Sequence, residues 1–270
     1  MNNKGQIIFH LFAALIYFFM WVPMLVLIIF SFNASEYGVK WTNFTFKWYI
    51  ELFNDPSIID ALMTSLKVAA FSVPISTVIG TLTAFALARF KFRGKGVYRT
   101  VLLIPMIMPG IVVGVISLSY FNMLNITLGL HTIIIAHITF SIPLATLVVS
   151  ARMQRLDPTL EEAAKDLGAD EITTTRKITI PLLLPGILSA ALMCFPWSFN
   201  DYVITYFVAG VGTTTLPIHI FSMVRHGLTP VVNALGTIII LAPIFLLVFF
   251  QLFRQIKDTV SEKRGVSESA

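Results

Sequence analysis

One carboxylate stands alone in a long apolar stretch. Asp201 is the only acidic residue between Glu171 and Asp258, and it lies in Ser198-Phe199-Asn200-Asp201-Tyr202. A carboxylate beside a hydroxyl, an amide and a phenol can hold an ammonium group. An ionisable side chain at membrane depth is costly, so it faces a cavity or a partner. The same residues also allow a structural pair, for instance with Arg225, or a place at an outer helix end reached by water. Trp41, Trp48 and Tyr49 fall in a segment spanning 33–60. Their rings suit the membrane interface belt, contact with a soluble partner, or stacking on a cation.

Other chemistries lack their residues. Cys194 is the single cysteine, so no intramolecular disulfide can form, and its apolar setting suits a small buried side chain. His131 and His137 share no helical face well, His219 and His226 fare no better, and no metal site is expected. An enzyme buried in a membrane needs clustered acids, histidines or a nucleophile at depth, and only Asp201 is available. The sequence holds no G-x-x-x-x-G-K-[ST] loop, so ATP is not hydrolysed here by that route.

A second group of residues marks a polar loop. Asp157 can cap a helix and Pro158 suits a first helical position. Glu161 and Glu162 then lie at the positive end of the helix dipole, and Gly168 fits the left-handed residue that ends a helix. Leu160, Ala163, Ala164 and Leu167 recur at i, i+3, i+4 and i+7, which makes one narrow apolar face. Small side chains let another surface approach closely. A docking helix for a partner is therefore expected here.

These residues must be positioned by an apolar scaffold. Of 270 residues, 56% are hydrophobic and 12% charged, against about 25% charged in a soluble domain. The charges cluster, leaving apolar runs between them. A bilayer core needs about 20 apolar residues per helix. An all-α integral membrane protein with six transmembrane helices is predicted, spanning about 8–32, 62–88, 99–123, 131–152, 182–207 and 231–253. Only helices are considered, because backbone groups in lipid must pair internally. The run over 100–151 is expected to break around Asn122, Asn125 and Gly129. The segment 7–32 is too long for a secretory signal of about 7–15 apolar residues. Residues 1–260 form a single transmembrane domain, and 261–270 are expected to be disordered.

Fifteen of the 19 Lys and Arg residues fall on one set of helix ends. They lie at Lys4, within 89–99, within 152–177, and within 254–264. Lys40, Lys47, Lys67 and Arg225 fall on the other. The positive-inside rule places both termini and the 153–181 loop in the cytoplasm. The net charge of +5 therefore reports orientation, and no nucleic acid is expected.

The loop resembles a known family. Glu162-Ala163-Ala164, three residues, Gly168, nine residues, then Ile178-Thr179-Ile180-Pro181 is similar to the EAA motif of ABC importer permeases, with Ile180 in place of the usual Leu. The resemblance implies a type I (MetI-like) permease bundle. It implies that Glu162, Ala163, Ala164, Asp166, Leu167 and Gly168 couple to an ATPase. The expected partners are two ATPase subunits carrying ATP and magnesium, a second permease subunit and an extracytoplasmic substrate-binding protein. No cofactor is expected on this chain. A bacterial or archaeal plasma membrane follows.

Further stretches resemble the spermidine/putrescine permeases. They include Ser31-Phe32-Asn33-Ala34-Ser35, Phe46-Lys47-Trp48-Tyr49, Ala136-His137-Ile138-Thr139-Phe140 and Pro230-Val231-Val232-Asn233-Ala234. That likeness implies a small cationic substrate. Asp201, Asn200, Ser198, Tyr202 and Trp48 are the candidate path residues. The chain departs from that family's pattern at Asn200, where an acid is usual, and at Gly110, which follows Pro109 in place of an acid. An importer for iron, sulfate, phosphonate or another solute is the alternative. A channel or secondary transporter would leave the loop unexplained.

Overall fold

Pro and Gly punctuate a chain that is otherwise helical. The computed structural model describes residues 3–36, 40–227, 229–245 and 248–249. In chain order the helices are α1 (Asn3–Phe30), α2 (Lys47–Asn54), α3 (Pro56–Arg89), α4 (Lys95–Ile107), α5 (Gly110–Met123), α6 (Leu130–Met153) and α7 (Thr159–Asp166). Then come α8 (Glu171–Thr174), a π-helical turn (Thr175–Thr179), α9 (Ile180–Phe199), α10 (Val203–Val208) and α11 (Leu216–His226), followed by α12 (Pro230–Phe245). The only extended pairing among the described residues is the Asn33–Phe44 bridge.

Among the described residues, four helices are long and apolar enough to cross a membrane, and a bent pair raises this to as many as five. α12 is shorter, and the rest of the span expected over 231–253 lies outside the described residues, as does the expected tail. α1, α3 and α6 overlap the spans expected over 8–32, 62–88 and 131–152, with α1 beginning at Asn3 and α3 at Pro56. The third span, expected as one helix over 99–123, is two helices bent by 105°. The cause is local. Pro109 disfavours helical backbone at the residue before it, and Met108 adopts ψ 141°. Pro105 inside α4 also lacks an N–H to hold the helix. The fifth span, expected to run to 207, ends at Phe199 and resumes at Val203. Asp201 therefore lies in a break between helices, not inside one.

The chain divides into two compact units, Met1–Pro56 with Ile220–Ala270, and Ser57–His219. In the first, Asn33 organises the turn after α1. Its side chain donates to Lys40 O at 2.8 Å and accepts from Thr42 N at 2.9 Å. Phe32, Phe44, Phe46 and Tyr49 pack on one another nearby with ring centroids 5.1–6.2 Å apart.

In the second unit, small residues let helices approach closely. Ala69, Val73 and Ala84 of α3 pack with Leu144, Ala145 and Val149 of α6 and Ala190 and Cys194 of α9. A Cβ on Gly80 would stand 2.5 Å from the Ala145 Cβ, so only glycine fits this crossing. A second core joins Phe121 of α5, Ile133, Ala136 and Phe140 of α6, and Ile204 and Val208 of α10. Many large apolar side chains elsewhere stay exposed, including most of α1, as expected of surfaces that meet lipid.

Candidate functional site

The loop helix α7 forms as its residue types dictate. The Asp157 carboxylate accepts from Thr159 N at 3.0 Å and Thr159 Oγ1 at 2.8 Å. These two bonds hold the Asp157 carboxyl below its usual range. Gly168 takes φ 87°, the left-handed value a C-terminal stop requires. Lys165 meets Glu171 at 3.2 Å. Asp170 caps α8 through Thr173 N at 3.1 Å.

The apolar face splits on contact with the body. Ala164 is buried, whereas Leu160 and Ala163 remain exposed and Leu167 is 90% exposed. Glu162, Asp166 and Gly168 are exposed as well. Leu160, Ala163 and Leu167 thus present their side chains on the open side of α7.

What fastens α7 is Glu161, a residue that sequence reasoning used only as a dipole partner. Its carboxylate bonds the Arg89 guanidinium at the end of α3. It also accepts from Thr179 Oγ1 at 2.7 Å, in the π turn that leads into α9. The Arg89 hydrogen bond holds the Glu161 carboxyl below its usual range, against burial and with help from Thr179. One side chain thus ties the loop helix to two long helices. Beside it lies a cavity of about 400 Å³. Leu87, Leu102 and Leu103 form part of its wall, and Arg89, Lys95 and Arg99 supply its basic groups.

The second site is built around Asp201. Its Oδ2 accepts from Thr205 N at 2.8 Å and Thr205 Oγ1 at 2.9 Å, which caps the start of α10. His137 Nε2 lies 3.6 Å from the same oxygen. His137 of α6 is 1% exposed, and both ring nitrogens have partners. Nδ1 is 2.7 Å from Ser198 Oγ and Nε2 is 2.9 Å from Thr205 Oγ1. Ser198 Oγ in turn meets Ser72 Oγ of α3 at 3.0 Å. Four elements therefore share one polar chain inside an apolar bundle. Asp201 Oδ1 takes no hydrogen bond from the described residues, and the side chain is 15% exposed.

The structure brings Ser198 and Asp201 together through His137. Asn200 ends α9, its N–H donating to Pro196 O at 3.0 Å. Tyr202 packs on Tyr206 with ring centroids 5.7 Å apart. Trp48 belongs to the other unit, where it is 4% exposed and donates its indole N–H to Asn33 O at 2.7 Å. His137 and Thr205 are the residues that sequence reasoning missed here. No local spacing announces them, since an N-cap reaches two or three residues on and Thr205 stands four after Asp201.

Comparison with known proteins places this geometry. The family described as the binding-protein-dependent transport system inner membrane component matches residues 76–258. The spermidine/putrescine transport system permease protein PotC of Haemophilus influenzae is 42% identical over 241 residues, covering 89% of this chain and 94% of that one. The putrescine transport system permease protein PotI of Escherichia coli is 38% identical over 229 residues, covering 82% of each. Among solved structures, a bacterial alginate ABC transporter in complex with its alginate pentasaccharide-bound periplasmic protein matches with TM-score 0.71 at 16% identity. That match covers 92% of this chain and 93% of that one, and it supports the fold.

Proposed function

This chain belongs to the binding-protein-dependent transport system inner membrane components, and we propose that within that family it is the permease subunit that carries spermidine and putrescine for an ATP-driven importer. The observation that carries the substrate class is the likeness to permeases of two polyamine systems over most of the chain. Asp201, with one carboxylate oxygen open, supports a cationic substrate. Asn200, Ser198, Tyr202 and Trp48 complete the proposed path set, Ser198 acting through the polar chain behind the carboxylate. An importer for an anion is a poorer fit, because a bare carboxylate would repel it.

Coupling follows from α7. The exposed Leu160, Ala163 and Leu167 would seat in a groove of an ATPase subunit. Glu162, Asp166 and Gly168 would flank that contact and Ala164 would hold the helix to the body. Glu161, Arg89 and Thr179 would carry the motion into α3 and α9. Six spans with both termini in the cytoplasm fit this arrangement, α12 being the start of the sixth. The working assembly comprises two ATPase subunits that bind ATP and magnesium, this chain, a second permease, and an extracytoplasmic binding protein. Its site is a bacterial plasma membrane.

The test is uptake by the complex reconstituted in liposomes, with labelled spermidine and putrescine and ATP supplied on the ATPase side. ATP-dependent uptake of either amine supports the assignment. Hydrolysis without amine uptake refutes the substrate class. Uptake by this chain alone refutes the ATP-driven mechanism.

A further inference from the structure

We infer that His137 is a positioning residue for the transported cation, setting the orientation of Asp201 through the hydroxyl of Thr205. This rests on Asp201 lining the path, as proposed above.

The hydrogen bonds fix a direction. Thr205 has one hydroxyl proton. Thr205 Oγ1 lies 2.9 Å from Asp201 Oδ2, and an ionised carboxylate only accepts. The Thr205 proton therefore goes to Asp201, to the charged Oδ2 in preference to the backbone O at 3.2 Å, and Thr205 Oγ1 accepts from His137 Nε2–H at 2.9 Å. A neutral imidazole then leaves Nδ1 as an acceptor, filled by the Ser198 hydroxyl at 2.7 Å. Ser198 Oγ accepts from Ser72 in turn. The chain delivers a donor to Asp201 Oδ2, holds it in place, and leaves Oδ1 as the open acceptor of the carboxylate for an ammonium group.

Asp201 is the one ionised group facing His137 among the described residues. On its own helix, His131 is exposed. From α3 it receives only Ser72, through Ser198, while Lys67 points outward. On α9 the Cys194 thiol turns to Ser141 O at 3.8 Å. α10 contributes Thr205 alone. Phe140 packs against the imidazole with its ring centroid 5.0 Å away. The geometry makes His137 a support for the carboxylate at the path, acting from behind it.

The experiment uses the full reconstituted complex with saturating binding protein. It measures putrescine carried per ATP hydrolysed. Wild type, His137→Gln, His137→Leu and Asp201→Asn are compared. His137→Leu should lower the ratio by about tenfold, the scale of losing a hydrogen bond that serves a charged group. His137→Gln keeps a donor toward Thr205 and should retain the ratio within about threefold. A ratio as low in His137→Gln as in His137→Leu overturns the inference, and so does a roughly tenfold loss in His137→Gln if His137→Leu fails to assemble. So does a wild-type ratio in His137→Leu. If His137 variants leave the ratio unchanged while Asp201→Asn lowers it, the path reading survives without this inference. If Asp201→Asn also leaves it unchanged, the path reading itself falls.

Discussion

Glu161→Ala should uncouple the transporter without preventing its assembly. The magnitude follows from what the side chain touches. Thr179 is 1% exposed, and its hydroxyl loses its acceptor, which costs roughly 1–3 kcal/mol for a buried unsatisfied group. The pair with Arg89 adds little, since Arg89 is 38% exposed and such pairs contribute about 0–1 kcal/mol. The docking of α7 on α3 and α9 would weaken by about 2–3 kcal/mol in all, or roughly 30- to 150-fold in the ratio of docked to loose loop. Glu161→Gln keeps an acceptor for Thr179 and should lose about 1 kcal/mol. The assay is ATP hydrolysis and amine uptake on the same liposomes. Hydrolysis should persist in Glu161→Ala while uptake per ATP falls, and Gln should lie between. Because the folded carboxyl titrates below its unfolded value, the clamp's contribution is full above the ordinary carboxylate range, about pH 4.3. It is lost only as pH falls through the lower folded value. Coupling by the clamp should therefore not vary between about pH 6 and 8. Wild-type uptake per ATP in Glu161→Ala would refute the reasoning.

Three further outcomes are expected. Gly80→Leu should cost about 1–3 kcal/mol or more by forcing α3 off α6, since even a Cβ would stand 2.9 Å from Thr146 N; a thermal shift in detergent reads this. Leu167→Asp should leave that melting temperature within about 1 °C, because the side chain touches almost nothing, yet lose co-purification of the ATPase subunits. Asp201→Asn should lower amine uptake at least about tenfold, the scale of one desolvated charge contact, while stability holds through the Thr205 bonds that an amide oxygen still accepts; labelled uptake and the melting curve together check it.

The loop helix was legible because its signals are local. Asp157, the exposed face and Gly168 each act within a turn of their own position, and α7 formed where they lie. The break at Pro109 was written in the same local code. A hydropathy window averages over it, so one span was expected where two helices meet at 105°. The break after Phe199 was hidden in the same way, since Asn200 and Asp201 are only two polar residues in an apolar run. His137 was beyond reach for another reason. Its partners Ser198 and Thr205 lie 61 and 68 residues away, on elements whose packing no local pattern specifies. A histidine in an apolar run then offers only its own neighbours to reason from, and those suggested a metal question with no answer. Glu161 shows the limit most plainly. Its place in the first turn of α7 was clear, but Arg89 and Thr179 come from helices before and after it.

The π-helical turn at 175–179 is, in effect, a phase shift. It holds one residue more than an α turn would, so the two helical segments on either side are out of step by about 100°. The segment that bears the loop and the segment that enters the apolar core can each satisfy its own surroundings, although a continuous helix could satisfy only one. The Thr179 hydroxyl meets Glu161, and Leu183, four residues on, is 1% exposed in the core. A residue added to or removed from this turn would swing Thr179 about 100° around the helix axis and away from Glu161, with every side chain unchanged.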